Sequence, residues 1–305
     1  MARHRRIWLL GGPTAAGKSA LAVRLARACD GEIVNADSMQ LYADLAILSG
    51  RPTPAERGGI AHHLFGVADA AEAWSVGRWL AAAQPIVADI QARGRQPIVV
   101  GGTGLYFRAL TDGLAAIPAV PATVRERVQH DYDRQGEDQI RRRLAAVDPA
   151  AAARIAPADR QRLTRALEVF EASGRPLTDW QADTRPAAPA DGWRGAVVDL
   201  ERASLYARIG ARLEGMAAAG AVDEVRRLLS RQLDPRLPAL KALGLRSFAA
   251  ELAGALTAAQ ALEEAKRETR RYAKRQMTWF AHQRPGWPRL APDITVEAAL
   301  EVYLA

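Results

Sequence analysis

The chain has 305 residues, enough for one large or two modest domains with a sizeable buried core. Its 49% hydrophobic and 25% charged residues exclude a disordered chain. No stretch approaches the roughly 20 apolar residues of a membrane span, and the single cysteine, Cys29, excludes an internal disulfide and a cysteine-built zinc site. A formal net charge of +8 suggests a polyanionic partner without naming it, with compositional bias towards arginine as the plain alternative.

A reducing cytoplasm is the expected compartment, and nothing demands an oligomer, so a monomer is expected. Met1–Arg6 is basic, and the apolar run Ile7–Leu10 is too short for a signal peptide before Gly11 and Gly12 end it. That run reads as a buried strand. Lys18–Cys29 follows as a helix with Leu21, Leu25 and Ala28 on one face. Glu32–Ala36 reads as a second strand ending at Asp37, Trp74–Ala92 as a helix interrupted near Pro85, and Gln96–Val100 as a third strand ending in Gly101-Gly102-Thr103-Gly104. Strands alternating with helices predict an α/β fold with a parallel sheet.

After Leu114 the character changes. Pro118 and Pro121 mark a linker, 123–173 is helical and densely charged, and 175–193, holding Pro176, Pro186 and Pro189, reads as a second linker. A strand is expected over 194–200, then helices over 203–219, 222–231, 247–252 and 257–283. The expected organisation is therefore an α/β core formed by 1–117 and 194–305, interrupted by an all-helical insertion over 118–193.

Gly12-Pro13-Thr14-Ala15-Ala16-Gly17-Lys18-Ser19 fits the P-loop pattern GxxxxGK[ST], between a predicted strand and a predicted helix. Glycines let backbone N–H groups turn around phosphate oxygens, the helix N-terminus adds its positive end, Lys18 places a charge on the terminal phosphate, and the Ser19 hydroxyl suits Mg²⁺. A coincidental Gly-rich turn is the plain alternative. The third strand ends without the carboxylate that a P-loop ATPase places there. The only Asp placed at a predicted strand end near the cradle is Asp37, in Asp37-Ser38-Met39-Gln40. In a parallel sheet Asp37, Thr103 and the P-loop share the crevice at the strand C-termini, where one carboxylate suits a general base. The alternative for Asp37 is the N-cap of a following helix.

Two basic stretches suggest RNA. Arg162 and Arg165, within Asp159–Arg165, share a helix face. In 266–283, Arg267, Arg270, Arg271, Lys274 and Arg275 are interleaved with Tyr272, Trp279, Phe280 and His282, a pattern that suits phosphate contacts with base stacking. A surface helix with buried aromatics fits as well. His62-His63-Leu64 reads as catalytic or as a turn beneath the site, Arg141-Arg142-Arg143 as a solvated face, and Trp8, Trp74, Trp79 and Trp193 as core.

The chain resembles the tRNA dimethylallyltransferases, also called tRNA isopentenyltransferases, in their bacterial form. The resemblance rests on Gly12–Ser19, Asp37-Ser38-Met39-Gln40-Leu41-Tyr42, His62-His63-Leu64, Gly101-Gly102-Thr103-Gly104-Leu105-Tyr106, Gln161-Arg162-Leu163-Thr164-Arg165-Ala166-Leu167-Glu168 and Lys274-Arg275-Gln276-Met277-Thr278-Trp279-Phe280. It implies a P-loop NTPase-like core whose cradle, Gly12, Pro13, Thr14, Ala15, Ala16, Gly17, Lys18 and Ser19, holds the diphosphate of dimethylallyl diphosphate. It implies an adenosine adjacent to the anticodon of tRNA, flipped out, whose exocyclic N6 amine receives the dimethylallyl group as diphosphate leaves. Asp37 is implied as general base, with Lys18, Thr103 and Arg125 as further catalytic residues and Mg²⁺ on Ser19. The implied tRNA contacts are Asp37, Ser38, Met39, Gln40, Thr103, Arg125, Gln161, Arg162, Leu163, Thr164, Arg165, Lys274, Arg275 and Gln276, the insertion clamping the anticodon stem-loop.

Two positions depart from the family pattern. Leu245 stands in Gly244-Leu245-Arg246 where Tyr is common, which puts one RNA contact in doubt, and Ala16 replaces a common Ser in a cradle built by backbone amides. Three rivals remain: a P-loop nucleotide or small-molecule kinase, a prenyltransferase acting on free adenine nucleotides, and a non-catalytic RNA-binding protein.

Overall fold

The computed structural model describes residues 6–304. The elements run β1 (Ile7–Gly11), α1 (Lys18–Cys29), β2 (Gly31–Asn35), α2 (Pro54–Arg57), β3 (His62–His63), α3 (Val76–Ala92), β4 (Gln96–Val100) and α4 (Gly104–Thr111). There follow α5 (Ala122–Val147), α6 (Pro149–Arg154), α7 (Arg160–Ser173), α8 (Leu177–Ala182), β5 (Trp193–Val198), α9 (Arg202–Ala218), α10 (Ala221–Ser230), α11 (Leu245–Leu252), α12 (Ala258–Gln283), β6 (Arg289–Leu290) and α13 (Val296–Leu304). The basic residues before Arg6 lie outside the described residues.

Two compact units result: residues 1–111 with 188–305, and residues 112–187. The divisions fall ahead of both expected boundaries of the helical insertion. In the first unit six parallel strands lie in the order β3-β2-β4-β1-β5-β6. Alternate strand residues face opposite ways: Leu9, Val34, Val99 and Val197 join one buried cluster, and Leu10, Ile33, Val100 and Ala196 the other. Both faces of the sheet are therefore covered, as a parallel sheet requires, and the fold is the expected P-loop NTPase-like α/β type.

The predicted bounds of α1 and β4 are observed. Ala28 of α1 is exposed, however, and the buried face is Leu21, Ala22, Val23, Leu25 and Ala26. Pro85 sits inside α3 without ending it. The second linker contains α8, because Pro176 stands at its N-cap and starts a helix instead of breaking one. Trp8 and Trp79 are buried and Trp74 and Trp193 pack partly against the core, as read.

The second unit is all-helical around Val128, Ile140, Leu144, Leu163, Ala166 and Leu167. Gly136, at φ 77°, divides α5 in two. Arg141 and Arg143 are not a solvated face. Arg141 donates to the Ala152 and Ile155 carbonyls at 2.7 and 2.8 Å, and Arg143 pairs with Asp131 and Glu171 at 2.7 and 2.6 Å, so both tie the helices together. Among the described residues, no helix is long and apolar enough to cross a membrane.

Candidate active site

The C-terminal ends of β1, β2 and β4 place three loops at one edge of the sheet. The first is the P-loop. Gly12 (φ 142°) and Gly17 (φ 96°) hold conformations that favour glycine, and a Cβ on Gly12 would lie 2.4 Å from the Val198 carbonyl oxygen. Ala15 is also left-handed at φ 64°. Lys18 Nζ donates to the Pro13 carbonyl at 2.6 Å, closing the loop on itself. Ser19 lies exposed in the first turn of α1.

The second loop carries Asp37. No helix follows it, so it is not a helix N-cap. Its Oδ1 accepts the Met39 amide at 2.9 Å, while Asn35 Oδ1 accepts the Asp37 amide at 2.8 Å and Asn35 Nδ2 donates to the Asp37 and Leu64 carbonyls, both at 2.9 Å. These bonds fix the carboxylate just beyond the strand end. Gln40 Nε2 donates to the Ser49 and Gly50 carbonyls at 3.2 and 3.1 Å. The third loop carries Thr103, whose hydroxyl accepts the Ser38 amide at 3.0 Å.

A cleft of about 940 Å³ opens over the P-loop, lined among others by Lys18, Ser19, Asp37, Arg51, Arg57, Arg208 and Arg212. A smaller cavity of about 230 Å³ adjoins it, with Met39, Leu48, Leu213, Met216, Ala242 and Leu243 as its apolar wall and Ser38, Tyr272 and Arg275 among its polar lining. Thr14, Ala15, Asp37, Ser49, Arg212 and Met216 line both. The carboxylate therefore stands between a strongly basic cleft and a largely apolar cavity.

Burial pushes the Lys18 ammonium down from 10.5 to about 8, the Asp37 carboxylate opposing this and the Arg212 charge adding to it. Arg212 is lowered by burial as well, against the pull of Asp37 and Glu56. Two or more cations crowded around one carboxylate are costly until an anion joins them. The Tyr272 hydroxyl is raised, chiefly by burial and then by the Asp37 charge, and it hydrogen-bonds with Thr103 and Gln276.

Lys18, Ser19, Asp37, Gln40 and the P-loop thus come together with Thr103 as expected. Asp37 is not the only acid at a strand end, since Asp199 follows β5. Its Oδ1 accepts its neighbour's amide, Leu200 N, at 3.0 Å. His62 lines the cleft, and His63 pairs with Glu32 at 2.7 Å on the edge strand β3.

Three expected RNA contacts are corrected. Leu163 is wholly buried, and Thr164 is buried and accepts Gln129 Nε2 at 2.9 Å, so both serve the core of the helical unit. Gln276 is buried, its amide engaged by Thr14 and Gly102. Arg125, Gln161 and Arg162 are exposed in the helical unit, and Arg165, near Arg125, stands 3.9 Å from Glu168. Lys274 and Arg275 are exposed on α12, but Phe280 is core. Leu245, at the family's Tyr position, is buried at the start of α11.

Arg208 and Arg212 were missed. They stand one turn apart on α9, and their signal is legible afterwards: a helix beginning just beyond a strand C-terminus brings its i, i+4 arginines to the crevice.

For metal, Ser19 offers one hydroxyl, and among the described residues no three His, Cys, Asp or Glu side chains gather into a metal-holding group. The Ser19 hydroxyl is an oxygen of the kind Mg²⁺ takes beside waters and phosphate oxygens.

Comparison with known proteins places the chain in a family. A model of the family described as IPP transferase matches residues 40–283, and one described as isopentenyl transferase matches residues 5–63. The chain belongs to the IPP transferase family. Among relatives, the tRNA dimethylallyltransferase of Phenylobacterium zucineum is 59% identical over 94% of this chain and 93% of its own length. That of Caulobacter sp. is 57% identical over 93% and 92%. The family fold extends across nearly the whole chain. The tRNA isopentenylpyrophosphate transferase of Bacillus halodurans superposes with a TM-score of 0.69 at 30% identity, covering 98% of this chain and 94% of that one. A eukaryotic dimethylallyltransferase acting on tRNA gives 0.78 at 26% identity, covering 90% and 70%.

Proposed function

We propose that this protein transfers the dimethylallyl group of dimethylallyl diphosphate to the exocyclic N6 amine of an adenosine in tRNA, the one adjacent to the anticodon, and releases diphosphate. The observation that carries the reading is the place of Asp37, one carboxylate between a phosphate cradle and a largely apolar cavity. Family membership at 59% identity to a tRNA dimethylallyltransferase supports it.

The diphosphate lies on the P-loop amides, with Lys18, Arg208 and Arg212 around it. The adenine amine attacks C1 of the dimethylallyl group. The N6–C1 bond forms, the C1–O bond breaks, and its electron pair leaves with the diphosphate. The nitrogen then carries an extra proton, which Asp37 accepts. Lys18 and the two arginines stabilise the charge that develops on the leaving oxygen. Ser19 would hold Mg²⁺, which supplies further neutralisation of the diphosphate when bound. Thr103, joined to Ser38, holds the loop that presents Asp37. Arg125, Arg162, Lys274 and Arg275 are exposed cations, and Arg165 a half-buried one, suited to tRNA phosphates.

The test is transfer of labelled dimethylallyl diphosphate to unmodified tRNA, run beside free AMP as acceptor and ATP as a hydrolysis control. Label in tRNA alone supports the reading. Label in AMP alone makes the protein a nucleotide prenyltransferase, and ATP turnover without transfer makes it a kinase.

A further inference from the structure

Gln276 sits in the C-terminal third of the basic helix α12, yet only 4% of it is exposed. Its Oε1 accepts the Thr14 amide at 2.8 Å, and its Nε2 donates to the Gly102 carbonyl at 2.9 Å. Thr14 belongs to the loop after β1 and Gly102 to the loop after β4, so one side chain spans two loops of the site. Glutamine suits this place because its amide carries an acceptor and a donor side by side.

The backbone is shaped to admit it. A Cβ on Gly102 would lie 2.1 Å from Gln276 Nε2, one on Gly104 would lie 2.3 Å from Trp279, and one on Gly11 would lie 2.4 Å from Phe280. Gln276, Trp279 and Phe280 share one helix face by their spacing of three and four. Glycines at or just beyond the ends of β1 and β4 thus receive three consecutive teeth of α12.

We infer that Gln276 is a positioning residue that joins the diphosphate cradle to the loops presenting the base. The bonded path runs from Thr14 to Gln276 to Gly102, passes to the adjacent Thr103, and crosses from its hydroxyl to the Ser38 amide beside Asp37. The distance between leaving group and base is set along this path. The inference rests on the transferase reading above, and it replaces an RNA contact at Gln276 with an internal one.

Two variants test it, Gln276→Leu and Gln276→Glu, with thermal unfolding as the fold control. Binding of inorganic diphosphate is measured by calorimetry, tRNA binding by filter retention, and KM and kcat by the transfer assay. Gln276→Leu weakens diphosphate binding and raises KM for dimethylallyl diphosphate about tenfold or more, since a half-buried amide and a buried carbonyl lose their partner. It leaves tRNA affinity unchanged. In Gln276→Glu an ionised carboxylate accepts from Thr14 but repels the Gly102 carbonyl, whereas the protonated acid restores both bonds. The activity of this variant relative to the unsubstituted protein therefore rises as pH falls from 8 towards 5.5. A flat ratio overturns the inference. So does unchanged diphosphate binding in Gln276→Leu with lost tRNA affinity, which would return Gln276 to the RNA. If Gln276→Leu fails to fold, the pH ratio of Gln276→Glu decides. If the unsubstituted protein transfers no label, the transferase reading fails, and the diphosphate arm alone decides the role of Gln276 in the cradle.

Discussion

The Ser38 amide donates to the Thr103 hydroxyl at 3.0 Å, and the Thr103 amide returns a bond to the Ala36 carbonyl at 3.1 Å. The two residues are far apart in sequence, and this pair of bonds locks the loop after β2 to the loop after β4. Replacing Thr103 with Val keeps the shape and removes the acceptor. The expected result is a fall in kcat of about tenfold, the scale of one half-buried amide left unpaired, with the fold intact by circular dichroism.

Asp37→Asn keeps the Oδ1 acceptor for the Met39 amide and removes the base. Turnover is expected to fall about 10²- to 10⁴-fold, while tRNA binding measured by filter retention stays near that of the unsubstituted protein. A binding protein without catalysis would lose little.

Lys18 gives a pH signature. Folding lowers its pKa from 10.5 to about 8, so below pH 8 both folded and unfolded chains carry the charge and the folded one bears the cost of partly desolvating it. Between pH 8 and the unfolded value the folded chain has shed a proton that the unfolded chain keeps, so ligand-free stability rises with pH. Lys18→Met should therefore unfold at a higher temperature than the unsubstituted protein at pH 7, the gap narrowing towards pH 9.5. Binding runs the other way. KM for dimethylallyl diphosphate should climb above pH 8 as the cradle loses its cation.

Arg212 donates to the Gly50 carbonyl at 3.1 Å and faces Asp37 and Lys18 across the cleft. Arg212→Ala removes a charged donor from the diphosphate, and a rise in KM for dimethylallyl diphosphate of about 10- to 100-fold is expected. Steady-state kinetics at saturating tRNA checks it.

Glu224 is buried, and its two carboxylate oxygens accept the Ile47 and Leu48 amides, each at 2.8 Å. Those amides belong to the segment that Gln40 and Arg212 hold at Gly50. Glu224→Ala leaves two donors unpaired and should cost about 1–3 kcal/mol in urea unfolding.

The parts legible in the sequence are those where local chemistry decides. The helix from Lys18 to Cys29 begins at a Gly-Lys-Ser turn and carries its own apolar stripe, so both ends were readable. The strands β3 and β6 have two residues each, too short for any alternation, and exist only because a longer neighbour pairs with them. The helix α13 was missed although Tyr303 stacks on Trp8 at 4.7 Å between centroids, a contact across the whole chain length. In the site, Asp37, Lys18 and Thr103 were readable because motif and strand end coincide. Gln276, Leu163 and Thr164 were misread because a motif says that a residue matters, and only packing says whether it faces RNA or the interior. Arg208 and Arg212 lie in no motif, and the fold alone brings them to the phosphate cradle.

The destination of the prenyl group is the most direct test of the proposed transfer. Unmodified tRNA is incubated with the protein and dimethylallyl diphosphate, digested to nucleosides, and analysed by mass spectrometry, with the modified residue mapped in the intact strand. The expected product is a single N6-dimethylallyl adenosine beside the anticodon, formed at least about 100-fold more slowly with Asp37→Asn. Prenylation of another nucleoside, of free adenine nucleotides only, or an unchanged yield with Asp37→Asn would contradict it.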